Sequence, residues 1–399
     1  MTGWNRSMLG DFCKVIAGQS PEGKFYNDSG DGLPFYQGKK DFGAKFIGAP
    51  RKWTTHTTKE AQAGDILMSV RAPVGPINFS TGKICIGRGL AAIRATDKVD
   101  KNFLYYGLLS KQSEISGNEG AVFASINKGQ IEEIELPLPP LPEQKRIVAI
   151  LDEAFEGIDA AVANTEKNLA NVRELFEGYL NAVFTQKGDG WVETTIGELC
   201  EKVEYGSSSK SKAEGKVPVL RMGNVQNGRI DWENLVYTDD QEEIDKYLLS
   251  KNDVLFNRTN STELVGKTAI YGGEQTAIFA GYLIRIHRKE TLLDAGFLNY
   301  YLNSYPAREH GRVVMSRSVN QANINGTKLK QYPITVPSLN QQIKITNNIR
   351  DLELETQRLE TIYQQKLDSL AELKQSILQK AFAGELTALP EKDLDEAIA

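Results

Sequence analysis

The passage "LPPLPEQKRIVAIL" at residues 138–151 returns as "VPSLNQQIKITNNI" at 336–349, 198 positions later. Self-similarity at a fixed distance is the signature of a repeated fold, and it constrains the architecture more than any single motif does. The repetition extends well beyond this passage. Gly3-Trp4, Leu9-Gly10 and Cys13 recur as Gly190-Trp191, Ile196-Gly197 and Cys200 at an offset of 187. "GDILMSVRA" (64–72) aligns with "NDVLFNRTN" (252–260) at 188, and "FLYYGLLS" (103–110) with "FLNYYLNS" (297–304) at 194. From Ile126-Asn127 and Ile324-Asn325 onward the offset holds at 198, through Phe184 and Phe382. The drift from 187 to 198 places 11 additional residues inside the second copy. Two modules of one fold have kept their frames while their middles diverged.

Each module opens with short β-type runs broken by Gly, Pro and Asn: "LPFYQG", "DILMSV" and "ICIGRGLAAIR" in the first, "VPVLRMG", "DVLFNR" and "TAIFAGYLIRIH" in the second. A helical patch follows ("FLYYGLLSKQSEIS"; "FLNYYLNSYPAREH"), then one more β-type run and the Pro-marked turn. That order predicts a compact α+β domain of roughly 130–150 residues. After the turn each module ends in a long proline-free helix. In the first, Ile147, Ile150, Ala154, Ile158, Ala161, Leu169, Val172, Phe176 and Val183 form an apolar stripe. In the second the stripe runs through Ile349, Leu352, Thr356, Leu359, Tyr363, Lys366, Leu370, Leu373 and Ile377. A rod of about 40 residues, about 60 Å long at 1.5 Å per residue, cannot bury its stripe alone. The chain supplies two rods, so an antiparallel coiled coil with a globular module at each end is expected. The expected boundaries are 1–140 for the first module, 141–186 for the first helix, 187–338 for the second module, 339–384 for the second helix and 385–399 for an acidic tail.

Composition narrows the function classes. Three well-separated cysteines (Cys13, Cys85, Cys200) suit a reducing cytoplasm without disulfides. The three histidines (His56, His287, His310) lack ligand spacing, so no metal site is expected. No apolar run approaches the ~20 residues of a membrane span, and "MTGWNRSMLGDF" does not read as a secretory signal. The net charge of −5 is unevenly placed: 143–186 holds 4 basic and 8 acidic side chains, whereas 1–142 holds 17 basic and 14 acidic. No region is basic enough for strong non-specific DNA binding alone. "GRG" (87–89) and "GKT" (266–268) lack the P-loop spacing, and the Gly-rich loop and (N/D)PP(Y/F) tetrapeptide of a DNA amino-methyltransferase are absent. "YTDDQEEIDKY" (237–247) reads more readily as a charged helix start than as a nuclease centre. No catalytic set and no cofactor are expected.

Polar residues suited to DNA do recur at corresponding loops. In module one they are Gln37, Lys39 and Lys40 after a strand, Arg71 after "GDILMSV", and Ser125 and Lys128. In module two they are Arg221, Asn224 and Asn227, then Asn257, Arg258, Asn260 and Lys267, then Arg317, Ser318, Asn320 and Gln321. Arginine reads guanine bidentately, Asn and Gln read adenine, and Ser or Lys also reach phosphates.

With "GDILMSVRAPVG", "FASINKGQIEEIELPLPPLPEQKRIVAIL", the helix to "LNAVF" and the closing "ILQKAFAGEL", the chain resembles the specificity subunit of type I restriction–modification systems over essentially its whole length. The resemblance implies two target-recognition domains separated by two long antiparallel helices in a pseudo-twofold arrangement. Each domain would read one half of a bipartite site in double-stranded DNA. The helices would dock two methyltransferase subunits, restriction subunits would join that core, and the chain would have no catalysis of its own. The duplicated turns, Leu141, Pro142, Glu143 and Gln144 and then Leu339, Asn340, Gln341 and Gln342, would be partner-docking points; Asn340-Gln341 in place of Pro142-Glu143 makes them chemically unequal. A coiled-coil scaffold that binds only proteins, or a stand-alone nuclease, are the competing readings.

Overall fold

The computed structural model describes residues 4–116, 125–186, 188, 190–319 and 321–387. They form two compact units, Met1–Glu166 with Gln364–Ala399, and Lys167–Tyr363. The long helices, Leu141–Thr185 and Leu339–Ala383, are each shared between the units, so the compact bodies do not follow the module-then-helix boundaries of the sequence. Most of the expected acidic tail, 388–399, lies outside the described residues.

In the first unit an antiparallel sheet runs in the order Cys13–Ala17, Leu90–Ala95, Ile66–Ser69, Ile77–Phe79. Beside it lies a mixed sheet ordered Tyr26–Asn27, Trp53–Thr54, Leu33–Tyr36, Ile84–Ile86, Glu60–Ala61. The run "ICIGRGLAAIR" thus splits into two strands in different sheets, bent at Gly87-Arg88-Gly89. The helix Lys101–Ser110 is N-capped by Asp100, whose carboxylate accepts from the amides of Asn102 and Phe103 at 2.9 and 3.0 Å. It buries Phe103, Leu104, Tyr105, Tyr106 and Leu108, because sheet and long helices both pack on it. Ile147, Leu151, Phe155 and Ile158 from the start of the first long helix share this core with Leu378 and Ala381 from the end of the second. Each of these isoleucine, leucine and phenylalanine side chains, fully buried, stabilises by about 1.5–3 kcal/mol.

The second unit repeats the plan. Its main sheet begins Cys200–Tyr205, Leu283–Arg288, Val254–Asn257, Thr268–Ile270. Asp294 caps the helix Ala295–Asn303. Here the long helices exchange ends: Phe184, closing the first, packs on Phe297 (5.2 Å) and Tyr301 (5.6 Å), while Ile349 from the start of the second is fully buried. In the first unit the repeat-related Phe382 packs on Phe103 (5.0 Å). Within each unit, then, the start of one long helix lies beside the end of the other, so the pairing is antiparallel.

The helix stripe needs one correction. Lys366 and Leu373 face water, Leu373 being 48% exposed, and Leu367 and Lys374 turn inward in their place. An α-helix turns every 3.6 residues, so a strict heptad drifts off the seam and a step of four restores it. Lys374 lays its stem over Phe155, with its ammonium 4.7 Å from the ring centre, and pairs with Asp159 at 2.7 Å. The acidic "YTDDQEEIDKY" is an exposed helix start: Asp240 caps Gln241–Tyr247.

Candidate DNA-reading loops

In the first unit one chain of backbone hydrogen bonds ties four loops together. Ile126 donates to the carbonyl of Val70 (3.0 Å), Val70 donates to Gly89 (3.0 Å), and Gly89 donates to Gln37 (3.1 Å). Residue 89 must be glycine, since a Cβ there would lie 2.3 Å from the Gln37 carbonyl oxygen. Arg71 and Ser125 face each other as a β-bridge. The sequence-selected Gln37, Arg71 and Ser125 are therefore brought together, all exposed, with Lys39 and Lys40 on the adjoining turn Lys39–Asp41. Lys128 stands one turn away in the helix Lys128–Glu132, exposed and paired with Glu132 at 3.3 Å.

The second unit builds the same cluster from repeat-related positions. Ile324 donates to the carbonyl of Arg258 (2.9 Å), and Arg258 donates to Tyr282 (3.0 Å). Ala280 donates to Leu220, the residue before Arg221 (2.9 Å). The counterpart of the Arg71–Ser125 bridge is the pair Thr259–Asn323, in agreement with the 188-residue offset that aligns Arg71 with Thr259. That pair extends into a ribbon, Thr259–Asn260 with Ala322–Asn323 and Ser316–Arg317, presenting Arg317, Ser318 and Gln321 to water. Asn320 lies outside the described residues.

Several expected contacts are redirected. Asn224 is buried, its amide donating to the carbonyls of Asp231 (3.0 Å) and Glu233 (2.9 Å) and its oxygen accepting from Arg221 N (2.9 Å), so it holds a turn. Asn257 ends a central strand and has no exposure. Arg221 is half-buried, donating to the Asn234 carbonyl at 2.9 Å. Arg258 is also half-buried, stacked 4.8 Å over Tyr205 and bonded to the Gly281 carbonyl at 3.1 Å. Asn260 accepts from Ser261 N at 2.9 Å. Asn227 and Lys267 line a cleft of about 590 Å³ with Asn303 and Arg308. Lys267 donates to Gln226 there at 3.0 Å, and burial, reinforced by the Arg308 charge, pulls its ammonium pKa below the ordinary lysine value.

The proposed docking turns are corrected more firmly. Gln144 and Gln342 have no solvent exposure. Gln144 accepts from Asp100 N (2.7 Å) and donates to the carbonyls of Pro139 (2.8 Å) and Lys98 (3.2 Å). Gln342 accepts from Asp294 N and donates to Leu292 and Pro337, each at 2.9 Å. These two glutamines are internal clasps between each long helix and the cap of the short helix before it, so their side chains are not available to a partner. Leu141, Pro142, Asn340 and Gln341 remain exposed, and Glu143 and Leu339 are half-buried.

Sequence reading missed Arg88, Tyr282 and Val319, all exposed and all borne by the linked loops or the ribbon. The signal for Arg88 was its flanking glycines, which permit the close backbone approach. No helix among the described residues is long and apolar enough to cross a membrane.

Two repeat-related loop clusters on paired long helices define a duplicated recognition scaffold. The sequence profile of the type I restriction modification DNA specificity domain matches residues 1–169 and 188–368, and the chain belongs to that family. It is 40% identical over 189 residues to the putative type I restriction enzyme MjaX specificity subunit of Methanocaldococcus jannaschii, a match covering 46% of this chain and 43% of that relative. It is 27% identical to the StySPI specificity subunit of Salmonella potsdam over 78% of this chain and 70% of that one, and 27% identical to the EcoKI specificity subunit of Escherichia coli over 72% and 64%. Its match thus spans less than half of the first relative and about two thirds of the other two. A chain from a study of complex assembly and conformational transition of the type I R-M system superposes with a TM-score of 0.80 at 20% identity, covering 97% of this chain and 99% of that one. The HsdS subunit of Thermoanaerobacter tengcongensis gives 0.59 at 20% identity, covering 96% and 98%. Both share the fold.

Proposed function

We propose that this chain is the DNA-reading subunit of a cytoplasmic type I restriction–modification complex, each unit reading one half of a bipartite site. The observation that carries this reading is the duplicated loop cluster: Gln37, Arg71, Arg88 and Ser125 in one unit, and the Arg258 loop with the Arg317 ribbon in the other. Both present guanidinium and amide donors suited to base edges. The long helices and exposed turn residues Leu141, Pro142, Asn340 and Gln341 serve as docking surface for two methyltransferase subunits, which restriction subunits then join. Phosphate grip from those partners accounts for the near-neutral charge of the reading modules.

The test is reconstitution. The purified chain alone should neither cut nor methylate DNA, whereas chain plus cognate methyltransferase subunit and S-adenosylmethionine should methylate a split motif. Exchanging residues 191–335 for those of another such subunit should change one half of the motif and leave the other half and the spacer intact. A swap that altered both halves together would defeat the one-unit, one-half-site reading.

A further inference from the structure

We infer that Val319 reads a thymine methyl group in the major groove of the half-site recognised by the second unit, an inference that rests on the DNA-reading function proposed above. Val319 is 97% exposed, more than any other large apolar side chain among the described residues. It follows the strand Ser316–Arg317, which pairs with Ala322–Asn323, and just beyond that pairing Ser318 N donates to the Gln321 carbonyl at 2.8 Å. A two-stranded ribbon is an element the major groove admits. Through Thr259–Asn260 it is hydrogen-bonded to the segment that follows Arg258, so it rises from the loop cluster itself.

The surroundings select the ligand. Arg317, Ser318 and Gln321, all exposed, flank the valine with donors and acceptors for guanine and adenine. A single exposed valine beside polar Arg317, Ser318 and Gln321 offers far less apolar area than the several hundred Å² patch a protein partner would cover. It does match the thymine C5 methyl, the apolar group that a base edge offers in that groove. Because β-branching restricts the valine χ1, its methyls can contact that group with little loss of rotamer freedom.

The test uses the full chain in complex with its methyltransferase subunits, on duplexes bearing the motif found methylated in native DNA. Each thymine of both half-sites is replaced in turn by uracil, which lacks the methyl but keeps every hydrogen-bonding group. At one position uracil should weaken binding about four-fold, the equivalent of one buried methyl at ~0.8 kcal/mol. Val319→Ala, which leaves thermal unfolding unchanged at so exposed a position, should bring the thymine-to-uracil ratio there close to one. The inference is overturned if no uracil weakens binding, if Val319→Ala keeps the full uracil penalty, or if the half-site assigned to the second unit contains no thymine. Failure of the DNA-reading function itself would look different: the complex would bind motif and scrambled duplexes alike.

Discussion

Replacing Gln342 by leucine would leave the shape of its site nearly filled while deleting three hydrogen bonds. The amide of Asp294 and the carbonyls of Leu292 and Pro337 would lose their partner in a place with no solvent access. At ~1 kcal/mol net per bond, the second unit should lose ~3 kcal/mol, and more where water does not enter to replace them. The damage should spread locally, because the Asp294 carboxylate also accepts from Phe297 N and Thr346 Oγ1, each at 2.8 Å, and so sets the start of the helix Ala295–Asn303. Hydrogen exchange at the Asp294 and Phe297 amides reads this without requiring two-state unfolding of a two-unit chain. Exchange there should speed by about two orders of magnitude, the equivalent of ~3 kcal/mol. Gln144→Leu should do the same at Asp100 in the first unit. Gln342→Glu adds a pH signature. A carboxylate facing two carbonyls is disfavoured, so its folded pKa rises above the unfolded value of about 4.3. The deficit should be small below that pH and complete only once pH has passed the raised folded value. If Gln342→Leu kept wild-type exchange at Asp294 yet failed to bind methyltransferase subunits, the clasp argument would be refuted and the glutamine would be a docking residue after all.

Three further outcomes are expected. Glu204 is held at about 2: burial pushes its carboxyl up, but hydrogen bonds from Arg285 and His287 outweigh this. Its stabilising effect is therefore full above about 4.3 and fades as pH falls toward 2, and Glu204→Gln should flatten the acid side of the urea-stability profile there; an unchanged slope would contradict it. Leu359→Pro interrupts the long helix Leu339–Ala383 at a cost of ~3 kcal/mol or more, so a variant that assembles and methylates normally would argue against a continuous rod. Arg317→Ala should leave the melting temperature unchanged and either relax one motif position by ~1–3 kcal/mol or weaken all sequences equally. Arg258→Ala should also destabilise the fold, since it loses the Tyr205 stack and the Gly281 bond; equal melting temperatures for the two variants would refute that distinction.

The duplication, the α+β class and the extent of both rods were legible in the sequence. Repeat offsets survive any three-dimensional arrangement, and helix limits depend on local signals such as the Pro-marked turns before Leu141 and Leu339. The loop positions of Gln37 and Arg71 were legible for the same reason, because residues that follow strands end at sheet edges. Which polar side chains face outward was not. Gln144, Gln342 and Asn257 have the same chemistry as a base-reading residue, and the packing of distant elements encloses them, whereas Asn224 is closed in by its own turn from Arg221 to Glu233. The choice of Leu367 and Lys374 over Lys366 and Leu373 likewise depended on the partner helix, whose Phe155 and Asp159 receive the lysine stem and charge. The gathering of Arg88 with Gln37 and Arg71 was a tertiary decision too: it depends on backbone bonds between loops up to 52 residues apart, formed where a glycine lets two chains approach. Local sequence specifies the period and the turn, but the direction a side chain takes is settled by whatever removes the water from it.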